Sequence, residues 1–315
     1  MTHLLEVERL SAELKGGVRV VDEISFTLSP GRALGLVGES GCGKTSAALA
    51  LMRLLPDGAV TRGNVKLLGE SLLEAPKPRM RELRGSRISM VFQEPLSALN
   101  PVLTVGSQIA EGLEVHAKLS GSAAWQRSVE LLESVGIANA AEKARAYPHQ
   151  LSGGMRQRAL IAAALACEPR VLIADEPTTA LDVTVQAQIL ALLTTLKKER
   201  GLGLLIITHD LGAVSAACDE VAVMYSGRIV EQGPVASVFQ SPRHPYTAAL
   251  LKARPSLASR GAPLEALPGQ VPPLGAKLEG CRFRPRCPRA IEPCAVKIPH
   301  AAEGDRRFEC HNPLP

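Results

Sequence analysis

Apolar residues in this chain fall in short unbroken runs more than in alternating stripes, and three of the runs end in chemistry. Ala33 to Val37 (ALGLV) leads directly into Gly38-Glu39-Ser40-Gly41-Cys42-Gly43-Lys44-Thr45. Val171 to Ala174 (VLIA) runs into Asp175 and Glu176, and GLLIITHD carries an aliphatic stretch to His209. Continuous runs of this length read as buried parallel strands. The segment after Thr45, SAALALMRLL, reads as a helix, which makes the region a strand, a glycine loop and a helix: an α/β arrangement. Leu151-Ser152-Gly153-Gly154-Met155-Arg156-Gln157-Arg158 reads as a second helix start, with Ser152 near the cap position. The longest uncharged apolar run, Ala159 to Cys167, falls far short of the about 20 residues that a membrane span needs. The opening MTHLLEVERLSAELKGG has scattered acidic residues and no sustained apolar segment, so no signal peptide is expected. These features predict a soluble, cytosolic chain.

Composition sharpens this picture in two places. Of the 315 residues, 46% are hydrophobic and 3% aromatic, so the core is expected to be aliphatic. The length suits one large domain, or one with a small appendage. A net charge of +5 is too mild to argue for nucleic acid. Its distribution is uneven: between Lys277 and His311 there are eight Lys/Arg against five Asp/Glu, and 11 of the 23 prolines follow residue 254. This shift predicts a boundary within residues 240–260. No internal repeat or low-complexity tract is evident.

The glycine loop matches G-x-x-x-x-G-K-[ST]. Its glycines let backbone N–H groups turn onto phosphate oxygens at the positive end of the following helix. Lys44 is then placed to reach the β/γ phosphates and the Thr45 hydroxyl to hold Mg²⁺. By chance, roughly one chain in a hundred of this length would show the four fixed positions. Strand and helix in the right places favour the nucleotide reading. At the carboxyl edge of a parallel sheet Asp175 is placed to bind Mg²⁺ and Glu176 to polarise the water that attacks the γ-phosphate. His209 is delivered to the same edge. The glycines after Ser152 make a second anion-binding helix end. One nucleotide does not need two such ends from one subunit, whereas two chains arranged head to tail need both.

The order of these motifs resembles the ATP-binding cassette (ABC) family. Leu151, Ser152, Gly153, Gly154 and Met155 resemble its signature, Gln93 in ISMVFQEP its glutamine loop, Asp182 in ALD the segment that crosses to the partner, and His209 its switch histidine. The resemblance implies a P-loop nucleotide-binding domain with a RecA-like core, an N-terminal antiparallel β subdomain and an inserted helical subdomain at about 95–165. It adds Ser46 to the nucleotide contacts and Gln93 to the Mg²⁺ ligands. EPLSALNPVLTVGSQI, HPYTAALL, LPGQVPPL and CRFRPRCP resemble the peptide/nickel importer branch, and ADEPTTALDVTVQAQI resembles the first of its two paired, non-identical ATPases. The resemblance implies a nucleotide-binding domain over 1–240 and a C-terminal extension over 241–315. It also implies a heterodimer with a second ATPase, two membrane permeases and an extracytoplasmic binding protein, at the cytoplasmic face of the inner membrane. Two departures stand out. No aromatic residue precedes the phosphate loop to stack on adenine, which leaves Leu14 or Val20 for that role. Cys42 stands where serine is commoner, as a packing residue or as a thiol that makes the ATPase sensitive to alkylation.

Four of the seven cysteines, Cys281, Cys287, Cys294 and Cys310, lie in the last 35 residues. Their gaps of five, six and fifteen residues leave disulfides, zinc and an iron–sulfur cluster open. The resemblance implies a [4Fe-4S] cluster, with zinc as the alternative. Arg282, Arg284, Arg286 and Arg289 are expected to be solvated, to face an acidic partner or to offset a cluster's charge. The expected function is an ATPase powering import of di- or oligopeptides. The alternatives are the same role for a nickel chelate or a glutathione-like solute, and a non-transport ABC ATPase.

Overall fold

A computed structural model describes residues 3–253, 267, 269–276, 278–296 and 299–315. Part of LPGQVPPL and part of the expected boundary region lie outside them. Along the chain, β1 (Leu5–Leu14), β2 (Val18–Leu28) and β3 (Ala33–Val37) precede α1 (Lys44–Leu51), β4 (Val60–Leu67) and β5 (Glu70–Ser71). Next come α2 (Lys77–Ser86), β6 (Ile88–Val91), α3 (Pro95–Ala98), α4 (Val105–His116), α5 (Gly121–Ser134), α6 (Ala140–Ala144) and α7 (Gly153–Leu165). The remainder holds β7 (Val171–Asp175), α8 (Val183–Arg200), β8 (Gly203–Thr208), α9 (Leu211–Ala217), β9 (Glu220–Tyr225) and β10 (Arg228–Pro234). It closes with α10 (Val235–Gln240), α11 (Pro245–Lys252), β11 (Ala301–Glu303) and β12 (Arg306–Phe308). These elements gather into two compact units.

The first unit comprises Met1–Leu5, Leu28–Arg32 and Leu67–Ile206. Strands β6, β7 and most of β8 lie side by side in that order. β6 and β7 run parallel, with Ile88 opposite Val171 and Val91 opposite Ala174. Every residue of β7 and β8 is buried, as the unbroken apolar runs require of strands covered on both faces. Around them α4, α5 and α7 pack on one another. α4 turns Val105, Ile109 and Leu113 inward, at i, i+4 and i+8, one face of the helix. Its start is capped by Thr104, which accepts from Ser107 N–H. α8 stops at Gly201 in the left-handed conformation, after Lys197, Lys198 and Arg200 have placed positive charge on its last turn.

The second unit comprises Glu6–Thr27, Ala33–Lys66 and Ile207–Pro315. One sheet has β1 between β2 and β4, the antiparallel subdomain. The other runs β3, β9, β10, β12, β11. β9 is parallel to β3, with Val37 opposite Val223, whereas β10 and β12 continue the sheet antiparallel. Beside the bulge between Ile229 and Glu231, Glu231 is fully buried. Its carboxylate accepts from the backbone N–H groups of Arg243 and His244 and from Arg306 of β12. β12 is thereby tied to β10, and β11 pairs with it to form the edge of this sheet.

The core here departs from a purely aliphatic one. Tyr225, Tyr246 and Phe283 are each fully buried, with ring centroids 4.6, 5.3 and 5.4 Å apart, and join β9, α11 and the cysteine-bearing turn. Few as the aromatics are, they concentrate where the C-terminal region meets the sheet. Replacing Phe283 by Ala is expected to destabilise the protein by about 3–5 kcal/mol in chemical denaturation. A loss below about 1 kcal/mol, as at an exposed site, would show that this ring does not join the core.

Candidate nucleotide site

In the second unit, β3 delivers the loop and α1 receives it. Gly43 sits at φ 104° at the helix start, where an added Cβ would strike the Val20 carbonyl oxygen; at Gly38 it would strike the Met224 carbonyl. The loop is thus pressed against β2 and β9. Lys44 is buried and its ammonium donates to the carbonyls of Gly38 (2.8 Å) and Glu39 (3.0 Å). Thr45 is exposed and Ser46 half-buried. Cys42 is fully buried, and burial raises its thiol pKa, opposed in part by the Lys44 ammonium, which lies 3.9 Å away. Its carbonyl accepts from Gly227 N–H at 2.8 Å. His209 is exposed at the end of β8, ahead of Asp210, which caps α9 through Gly212 N–H. Of the two residues considered for adenine, Val20 is buried beneath the loop and Leu14 is half-buried.

In the first unit, neighbouring parallel strands carry Gln93 and Asp175 to one sheet edge. Asp175 is buried at the end of β7, and Gln93 is exposed just beyond β6. Glu176 is buried in a left-handed backbone conformation, φ 47°, unusual for a residue with a side chain. Its carboxylate accepts from the Thr179 hydroxyl at 2.6 Å. Ser152 caps α7 by accepting from Met155 N–H at 3.3 Å, as its position predicts. Leu151 is buried, while Ser152 and Gly153 are exposed and Gly154 and Met155 half-exposed. Asp182 caps α8 through Val185 N–H at 2.9 Å. An added Cβ would meet Leu181 at Gly153 (3.4 Å) and Val185 at Gly154 (2.7 Å), so the helix start and the ALD segment are packed side by side.

The cysteine cluster is not supported. None of the seven cysteines forms a disulfide, and among the described residues no three His, Cys, Asp or Glu side chains are grouped to hold a metal ion. Cys281 and Cys294 are joined through the backbone, N–H to carbonyl at 2.8 Å, but the Cys281 and Cys287 side chains pack against the apolar core beneath them. Burial raises the thiols of Cys281, Cys287 and Cys310, the last to about 11. The arginine expectation also needs correction for three of the four. Arg282 pairs with Asp22, Arg286 with Glu39, and Arg289 bonds Asn312, whereas Arg284 is exposed. Their partners lie in the same chain and the same unit. The sequence reading missed Tyr246, whose hydroxyl accepts from Glu39 N–H, and Thr179 on Glu176. Tyr246 lies in HPYTAALL, a visible motif whose spacing says nothing about what it touches.

A family model described as ABC transporter matches residues 21–179, half of the chain. The chain belongs to the ABC transporter family. A second model, the oligopeptide/dipeptide transporter C-terminal region, matches residues 230–294 of this ABC chain. A relative in Sinorhizobium fredii, named "Probable peptide ABC transporter ATP-binding protein", is 48% identical over 306 residues, 95% of this chain and 91% of its own. Among solved structures, cbiO1 of Clostridium perfringens, part of the ABC transporter complex cbiONQ, is 30% identical with a TM-score of 0.66, covering 76% of this chain and 92% of its own. A bacterial ABC transporter cassette solved as a dimer shares the fold at 24% identity and a TM-score of 0.65, over 73% of this chain and 98% of its own.

The burial of Cys42 favours packing over thiol sensitivity. At pH 7, N-ethylmaleimide is expected to leave Cys42 unmodified in the folded protein while the half-exposed cysteines react, as read by peptide mapping. Labelling of Cys42 at the rate of Cys310 would reverse that reading.

Proposed function

We propose that two such subunits bind MgATP between the phosphate loop of one and the LSGGM turn of the other. The chain is the ATP-binding subunit of a peptide import ABC transporter, and an ATPase. The observation that carries the two-subunit mechanism is the first turn of α7: its cap is formed, yet Ser152 and Gly153 face solvent beside the ALD segment. A helix start with exposed backbone donors is a seat for phosphate, and one chain offers two. In this reading Gly38 to Ser46 cradle the phosphates and Lys44 leaves its loop carbonyls for the β/γ oxygens. Glu176 accepts the proton of the water that attacks the γ-phosphorus, and His209 contacts the γ-phosphate. Thr45, Gln93 and Asp175 offer hydroxyl, amide and carboxylate oxygens, a hard donor set that fits Mg²⁺. The ion would neutralise charge on the β and γ oxygens.

The partner in this reading is the second, non-identical ATPase, and closure of the pair drives two permeases served by a binding protein. Exposed apolar side chains next to Gln93 and in the segment that follows it, namely Phe92, Val102 and Leu103, support permease contact in this region of the chain. Among the described residues no helix is long and apolar enough to cross a membrane. Attachment to the cytoplasmic face of the inner membrane then rests on the permeases. No step is assigned to the four C-terminal cysteines.

Glu176→Gln is expected to slow phosphate release by about 10²–10⁴-fold, the usual contribution of a general base, while MgATP still binds. Turnover at the wild-type rate in that variant would remove Glu176 from the role.

A further inference from the structure

Glu39, the first variable position of the phosphate loop, is held on three sides. Its N–H donates to the Tyr246 hydroxyl at 2.9 Å. Its carboxylate receives both Arg286 nitrogens, at 2.8 and 3.1 Å. Its carbonyl accepts from Lys44 at 3.0 Å. Lys44 belongs to the loop's own machinery, but Tyr246 and Arg286 come from residues more than 200 positions away.

Both distant residues are themselves fixed. The Tyr246 ring is fully buried against Tyr225, and its backbone N–H is capped by His244 Nδ1 at 3.0 Å. His244 is in turn tied by its N–H to the buried Glu231 carboxylate at 2.9 Å. The Arg286 side chain is 5% exposed. Its guanidinium lies 5.8 Å from the Tyr225 ring centroid and 6.0 Å from that of Phe283. A two-point guanidinium–carboxylate pair fixes direction as well as distance. The far end of the loop is anchored too. Gly227 N–H holds the Cys42 carbonyl, and Arg282 bridges the Ser226 carbonyl and Asp22.

We propose that Arg286 and Tyr246 are positioning residues for ATP binding: the C-terminal region holds the phosphate loop in shape and cancels the charge of Glu39. The electrostatic half of the idea separates it from simple packing. A carboxylate carried on the phosphate loop opposes a triphosphate bound there, and a buried guanidinium paired with it offsets that opposition. Removing Arg286 alone leaves the carboxylate uncompensated, so the loss of ATP affinity should be relieved when Glu39 is neutralised as well.

The proposal rests on residues 38–45 being the phosphate cradle, which Lys44→Ala tests separately. Full-length protein would be assayed by MgATP titration calorimetry and by steady-state hydrolysis. R286Q is expected to raise Kd and KM for MgATP about tenfold with kcat within about twofold, an interaction of ordinary size for charges in contact. The double variant R286Q/E39Q is expected to recover to within about threefold of wild type, which a merely structural loss would not do. Unchanged KM in R286Q, an effect confined to kcat, or a double variant no better than R286Q would overturn the proposal. If R286Q does not fold, Y246F carries the test: KM raised about threefold at constant kcat supports it, and unchanged KM overturns it. If K44A binds MgATP normally, the cradle reading itself fails. If K44A loses binding while R286Q keeps it, only the present proposal fails.

Discussion

A loop that offers its backbone N–H groups to a phosphate cannot use those same groups to hold itself together. It has to be supported by carbonyls, side chains and neighbours. In this chain the support is nearly all visible: Gly43 and Gly38 press the loop on the carbonyls of Val20 and Met224, Gly227 holds the Cys42 carbonyl, and Tyr246 and Arg286 hold Glu39. Lys44 completes the set by folding back on two loop carbonyls. All but one of these contacts spare the loop's N–H groups; the exception is Glu39 N–H, which donates to Tyr246.

The same requirement explains why the C-terminal region is woven into the sheet. Glu231 is the joint. Buried in β10, it gathers the backbone ahead of α11 and Arg306 from β12. A buried carboxylate is tolerable only with such a full set of donors. Once satisfied, it aligns α11 so that the Tyr246 hydroxyl reaches Glu39, and it ties β12 to β10. Arg228 adds a second tie, pairing with Asp22 of β2 and Glu309 just after β12.

What was legible in the sequence follows from range. Strands β3, β7 and β8 announced themselves as unbroken aliphatic runs, and Ser152 as a cap, because each signal sits within a few residues. The peptide-import relationship was legible in whole phrases such as HPYTAALL, and the family models agree. Arg286 was misread because its meaning depends on Glu39, 247 residues away, as that of Arg282 depends on Asp22, 260 away. No periodicity records a pair at such a separation. The four C-terminal cysteines were not decided by their spacing: only the resemblance implied a cluster, and among the described residues no metal-holding group supports it. Asp182 was read as a residue reaching outward, and within its own chain it also starts α8.

The bond between Glu39 and Arg286 changes what the motif's wildcard positions mean. In the pattern G-x-x-x-x-G-K-T, phosphate chemistry dictates the fixed letters and is indifferent to the x's. In this molecule the first x is not indifferent, because its side chain is legible only together with a letter near the other end of the text. Any drift at one of the two positions is therefore conditional on the other. A phosphate loop transplanted from a cousin with a different tail would carry the right consensus and the wrong grammar.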